Sequence, residues 1–170
     1  MKNNVFIFIM AMLGFSCLDV QQKKPIVKKE NQESKLMEMK GQIATFLTFQ
    51  KENAEKAMNF YVELFNNSEI IEVKRWGKDG PVKEGSIMHA TFSLNGNLFM
   101  CSDSPPIHEW GFTPAVSNFI DCEDLAELKR LFNKLSANGK VMMPLNNYGF
   151  SQKFGFVEDQ FGVSWQLNLK

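Results

Sequence analysis

From residue 41 to the end, this 170-residue chain carries the same order of elements twice: a strand, a helix and three strands. A repeat of that length limits the fold more than any local motif can. In the first copy residues 43–49 alternate like a strand, and 53–65 set Ala54, Ala57, Met58, Tyr61, Leu64 and Phe65 at helical spacing. Strands follow at 69–76, 86–94 and 97–103, the last two joined by Asn95-Gly96, a pair that accepts the positive φ angles of a tight hairpin. In the second copy a strand at 115–122 precedes a helix at 123–136, with Leu125, Leu128, Leu131, Phe132 and Leu135 on one face. Asn138-Gly139 stops that helix, and strands at 141–145, 154–158 and 163–169 complete the unit. A proline-rich crossover at 104–114 separates the copies. One such unit cannot bury its sheet alone, so two are expected to pair. The expected class is α+β: two βαβββ modules, about 42–104 and 113–170, forming one curved mixed sheet with a cup between them.

Composition fits one domain at 42–170, since 44% of the chain is hydrophobic and 22% charged. Lys plus Arg equals Asp plus Glu at 19 each, so no net field draws the protein to nucleic acid, and no such partner is expected. Sixteen Phe and ten Met against two Tyr give adaptable apolar side chains, which suit a core and a greasy ligand alike.

The N-terminus reads as an address. Lys2, the apolar run 5–13 and Gly14-Phe15-Ser16-Cys17 have the zones of a signal peptide over 1–16. The run is short of the roughly 20 apolar residues that span a bilayer. A cysteine after a small residue at that junction resembles a bacterial lipobox, which implies lipidation of Cys17 and a lipid-anchored envelope protein. A cleaved secreted or periplasmic product and an uncleaved apolar end are the alternatives. Residues 17–41 are rich in Lys, Glu, Gln and Asn and read as a flexible tether with a reach of roughly 25 to 30 Å, unless Leu36, Met37 and Met39 start a short helix. The other cysteines, Cys101 and Cys122, are without a C-x-x-C partner; they could pair, but their apolar neighbours favour buried free thiols.

The doubled order, with Ile43-Ala44-Thr45-Phe46-Leu47-Thr48-Phe49, Met88-His89-Ala90-Thr91-Phe92, Ser102-Asp103-Ser104-Pro105-Pro106 and Phe161-Gly162-Val163-Ser164-Trp165-Gln166-Leu167, resembles the PhnB-like branch of the vicinal oxygen chelate superfamily, which includes glyoxalases, bleomycin resistance proteins and dioxygenases. Metal-using members of that superfamily hold the ion with inward His or Glu side chains on the first and last strand of each half. Here alternation turns Ser164, Gln166 and Asn168 toward the cup, so Gln166 stands in the glutamate's place. Matching Gly96 to Gly162 makes Met100 its counterpart, beside Leu98 and Ser102. The first-strand positions fall at Ala44 or Thr45, and at Val116 or Ser117. None is a carboxylate or imidazole, so neither a metal nor any other cofactor is expected. The methyltransferase label often given to this branch finds no glycine-rich loop after a strand to hold its methyl donor.

Other residues invite chemistry. His89 alternates with Thr91 and Ser93 on the side expected to face the cup, opposite Met88, Ala90, Phe92 and Leu94, and is a candidate general base as well as a candidate structural histidine. Asp103 could orient it or form a turn. Trp110 and His108 in the crossover could cover the cup. Cys101 should face the helices, and Glu158-Asp159 suit a turn and solvation. The resulting expectation is a protein that binds or sequesters a small, partly apolar molecule through Thr48, Met100, Ser102, Trp110, Ser164 and Gln166. A metal-free lyase, isomerase or hydrolase using His89 is the second reading, and a structural dimer with a vestigial cup the third. The resemblance also implies a homodimer.

Overall fold

The computed structural model describes residues 34–37 and 41–170. The signal peptide, Cys17 and most of the tether lie outside them. Residues 34–37 form one helical turn, the alternative raised for this stretch, and the Lys35 ammonium pairs with Glu69. No helix among the described residues is long and apolar enough to cross a membrane.

The first module comprises β1 (Thr45–Phe49), α1 (Ala54–Leu64), β2 (Glu69–Arg75), β3 (Ile87–Leu94) and β4 (Asn97–Asp103). The second comprises β5 (Asn118–Asp121), α2 (Leu125–Ser136), β6 (Lys140–Asn146), β7 (Lys153–Glu158) and β8 (Ser164–Leu169). Their sheets run β1-β4-β3-β2 and β5-β8-β7-β6, each with one parallel pair, β1 with β4 and β5 with β8. The α+β class and the two βαβββ modules are therefore as the sequence implies. The repeat extends to register: Phe46 lies opposite Met100 in one module and Phe119 opposite Gln166 in the other. Asn95 at φ 48° and Gly96 at φ 78° are both left-handed, as a type I′ hairpin requires.

One expectation is corrected. The modules do not share a curved sheet; each has its own four strands, and the core joins them. The buried face of α1, at helical spacing, includes Tyr61, whose ring packs 5.2 Å from that of Trp165 on β8, while Phe65 packs on the same indole at 5.3 Å. Trp165 is 2% exposed and Tyr61 0%, and burying a ring of this size contributes about 2–3 kcal/mol. On the second module, Asp124 caps α2 by accepting the Glu127 N–H at 2.8 Å, and Arg130 reaches across to the Leu64 carbonyl at 2.8 Å. Gly155 on β7 lets α2 close in: a Cβ there would stand 2.6 Å from the Phe132 ring. Because both sheets turn one face to this common core, their other faces look away from it. The cup is not enclosed between the two halves of one chain.

Strand β5 begins at Asn118 and not at 115 because the Thr113 carbonyl and hydroxyl accept the N–H groups of Val116 and Ala115, holding that stretch in a turn.

Candidate functional site

Alternation along β1, β3 and β4 sorts the first sheet into two faces. Leu47, Phe49, Ala90, Phe92, Phe99 and Cys101 are buried toward the core. Between them, Phe46, Thr48, His89, Met100 and Ser102 line the open face, where Phe46 is 48% exposed and its ring lies 5.8 Å from that of His89. His89 Nε2 is 3.2 Å from the Thr91 hydroxyl, and the cross-strand neighbours Lys74 and Glu72 form an ion pair at 3.3 Å beside them. This face thus carries an imidazole next to a charged pair and an aromatic ring. Met88 departs from the expected alternation. A bulge between Lys74 and Arg75 puts two residues between the buried Ile87 and Ala90, so Met88 is left 37% exposed.

The second sheet repeats the arrangement. Gln166 and Phe119 share its open face, and Gln166 Nε2 donates to Ser117 Oγ at 2.7 Å. That bond selects Ser117 over Val116, which is 77% exposed. Stepping back two residues from Phe46, as Ser117 does from Phe119, selects Ala44 in the first module. Asn168 donates to Asp121, whose carboxyl is held below its usual range by that hydrogen bond first and by Lys170 second. The Ser164 hydroxyl is buried, with the residue 2% exposed, and has no partner among the described residues.

Of the positions at which the resemblance would place metal ligands, strand pairing brings together Ser117 with Gln166 and sets Ala44 and Met100 at the matching places of the first module. A methyl group, a thioether, a hydroxyl and an amide do not fit a hard divalent ion, which needs carboxylate or imidazole donors. The hydroxyl and amide satisfy each other instead. Among the described residues no group of three or more His, Cys, Asp or Glu side chains is arranged to hold a metal.

Two of the remaining site candidates sit elsewhere. Asp103 does not orient His89, because odd positions of β4 face the core. Its carboxylate, 3% exposed, accepts the Ala54 N–H at 3.0 Å and the Ile87 N–H at 2.9 Å, tying the start of α1 to β3. Trp110 is 53% exposed and stacks on His108 at 4.4 Å. Its carbonyl accepts from Gln50 at 2.6 Å, and Gln50 in turn accepts the His108 N–H at 3.0 Å, so the crossover is fastened to the β1–α1 loop. Beside that loop a cavity of about 230 Å³ is lined by Thr48, Lys51, Asn53, Phe112 and Glu158, among others. Of the six expected ligand contacts, Thr48 alone lines it.

Burial pushes the Cys101 thiol up to about 12, with the Asp103 charge adding to it, and the Cys122 thiol up to about 11. Both are free and buried, and neither is a nucleophile at neutral pH. Sequence reasoning missed Asp159. It is 3% exposed, not solvated, and accepts from the Tyr61 hydroxyl at 2.6 Å, Trp165 Nε1 at 2.8 Å and the N–H groups of Phe161 and Val163. An aspartate three residues before Gly162 signals the local turn; its bond to Tyr61, 98 positions away, has no signal in spacing.

Three comparisons bear on this architecture. The sequence signature of the family described as 3-demethylubiquinone-9 3-methyltransferase matches residues 41–168. A PhnB protein from Bacillus cereus is 50% identical and superposes with a TM-score of 0.73, covering 76% of this chain and 99% of that one. Protein PA1353 from Pseudomonas aeruginosa is 31% identical with a TM-score of 0.64, covering 76% and 97%. Protein YjdN of Escherichia coli (strain K12) is 33% identical over 84 residues, which span 49% of this chain but only 56% of YjdN.

Proposed function

The chain belongs to the PhnB-like family described as 3-demethylubiquinone-9 3-methyltransferase, and from that membership we propose that it binds a small, partly apolar molecule on the open faces of its sheets without a metal ion. The observation that carries this reading is the hydrogen bond between Ser117 and Gln166. Two side chains at would-be metal positions spend their polarity on each other, between rings that stay about half exposed on both faces. Such a surface offers apolar contact from Phe46, Met100 and Phe119 and a few fixed polar groups from Thr48, Ser102 and Gln166, which is the make-up of a small-molecule site. A second copy closing over the open face would complete the cup.

Methyl transfer does not enter this reading. The loops that lead from β1 to α1 and from β5 to α2 contain no glycine, so they lack the glycine-rich turn that lets the backbone approach a bound nucleoside methyl donor. A second reading is favoured by the position of His89 on the same open face: a metal-free lyase, isomerase or hydrolase with His89 as general base.

The test begins with protein purified without chelator. Zinc, nickel, iron and manganese are assayed, and a metabolite panel is screened for compounds that raise the melting temperature. The proposal predicts substoichiometric metal and at least one stabilising compound. Stoichiometric metal overturns the metal-free site, and a panel without a hit favours the vestigial cup. His89→Ala then separates the two active readings: binding retained with no turnover to lose supports sequestration, whereas turnover lost with binding retained supports the enzyme.

We further propose that Cys17 is lipidated and holds the domain at a bacterial membrane. Cys17→Ala should move the protein from the membrane fraction to the soluble fraction; unchanged partition removes the anchor.

A further inference from the structure

A larger cavity, about 470 Å³, opens between the modules away from the residues of the open face of the first sheet: neither Phe46, His89 nor Met100 lines it. Both modules build it. Phe65, Asn66 and Asn95 come from the first, and Asn118, Phe119 and Glu123 from the second. Its volume falls in the range of about 300–1,000 Å³ usual for small-molecule sites.

Its unpaired charge is negative. Lining residues include Asp121, Glu123 and Glu127 but no Lys, Arg or His. Two of these carboxylates are engaged by cations, Asp121 by Lys170 at 2.9 Å and Glu127 by Arg130 at 4.0 Å, and they also accept from Asn168 and from the Glu123 N–H at 2.8 Å. The Glu123 side chain is exposed at the cavity rim, and its carboxylate has no partner among the described residues. The side-chain amides of Asn66, Asn95 and Asn118 are also unengaged among the described residues, so donors and acceptors stand ready around an aromatic wall formed by Phe65 and Phe119. The unpaired Glu123 carboxylate favours a cation over an anion, and aromatic ring faces attract a cation placed over them.

We propose that this cavity binds a small organic cation, an ammonium or amidinium group on a flat apolar body. The charge lies beside Glu123, the body packs against Phe65 and Phe119, and the asparagine amides take polar substituents. The site is separate from the open face of the first sheet, and it shares Phe119 with the ligand surface proposed on the second.

The test uses three indoles with the same ring and different charge on the full chain: tryptamine, tryptophol and indole-3-acetate, each titrated calorimetrically. Tryptamine should bind at least about fivefold more tightly than tryptophol, and indole-3-acetate should not bind. Glu123→Gln, a change at an exposed side chain, should reduce tryptamine to the affinity of tryptophol, and His89→Ala should leave it unchanged. Raising salt from low to high concentration should weaken tryptamine and spare tryptophol. Equal affinity for the three, binding by none of them, or full tryptamine affinity in Glu123→Gln overturns the proposal. Loss of tryptamine binding in His89→Ala would place the cation on the sheet face and overturn it as well.

Discussion

Four donors converge on the carboxylate of Asp159, two from the side chains of Tyr61 and Trp165 and two from its own turn. Removing the acceptor leaves the buried Tyr61 hydroxyl and Trp165 N–H unpaired, and each orphaned donor costs about 1–3 kcal/mol. Asp159→Ala should therefore lose about 3–5 kcal/mol in urea unfolding, a large part of ordinary domain stability. Burial raises the pKa of Asp159, and its hydrogen bonds lower it by less than burial raises it. With the folded value above the unfolded one, the stability linked to this proton is fully present below the usual carboxylate value of 3.8 and is lost as pH rises through the folded-state pKa. Compared over that window by chemical unfolding, Asp159→Asn should lack the decline that the wild-type chain shows. The same residue marks what a sequence makes legible at this scale. Gln166, Ser117 and Met100 could be placed because alternation is local, whereas the roles of Asp103 and Asp159 depend on partners brought in by packing. Adjacent acids at a strand end look solvated until a tyrosine from another module arrives.

At the scale of elements, both helices and all eight strands are readable from periodicity because each turns one apolar face to the core. Boundaries move where side chains compete for the backbone, as Thr113 does before β5, and alternation fails where a bulge inserts a residue, as beside Met88. Helix α2 supplies a sharper test of packing. Its Phe132 ring lies over Gly155, where an added Cβ would meet Phe132 at 2.6 Å and Leu145 at 2.8 Å. Those neighbours are side chains and can shift, so Gly155→Ala should fold but lose about 1–3 kcal/mol by overpacking. Combining it with Phe132→Leu, which clears the ring, should cost less than the sum of the two single changes. Additivity in this double-mutant cycle would mean that α2 does not rest on Gly155.

At the scale of the whole molecule, the sequence carries the repeat but not the way its copies meet. Two βαβββ units can join edge to edge or back to back, and the same binary pattern serves both. The deciding contacts are those of Tyr61, Phe65, Trp165 and Asp159, which clasp the modules through their buried faces. That choice leaves each open face without cover: Phe46 is 48% exposed and Phe119 57%. A stable homodimer interface would bury about 800 Å² from each partner, and apolar side chains so placed on both modules give it a nucleus that a monomer leaves in water. Light scattering across a concentration series should then report a dimer whose melting temperature rises with protein concentration. Phe46→Asp, at a position whose side chain contributes nothing to the buried core, should shift that equilibrium toward monomer while the circular dichroism spectrum stays unchanged. Ligand affinity supplies the link to function. If the partner closes the cup, Phe46→Asp should weaken binding most at low protein concentration, where the monomer prevails. A chain that is monomeric throughout and binds its ligand equally well at every concentration would instead need only one open face.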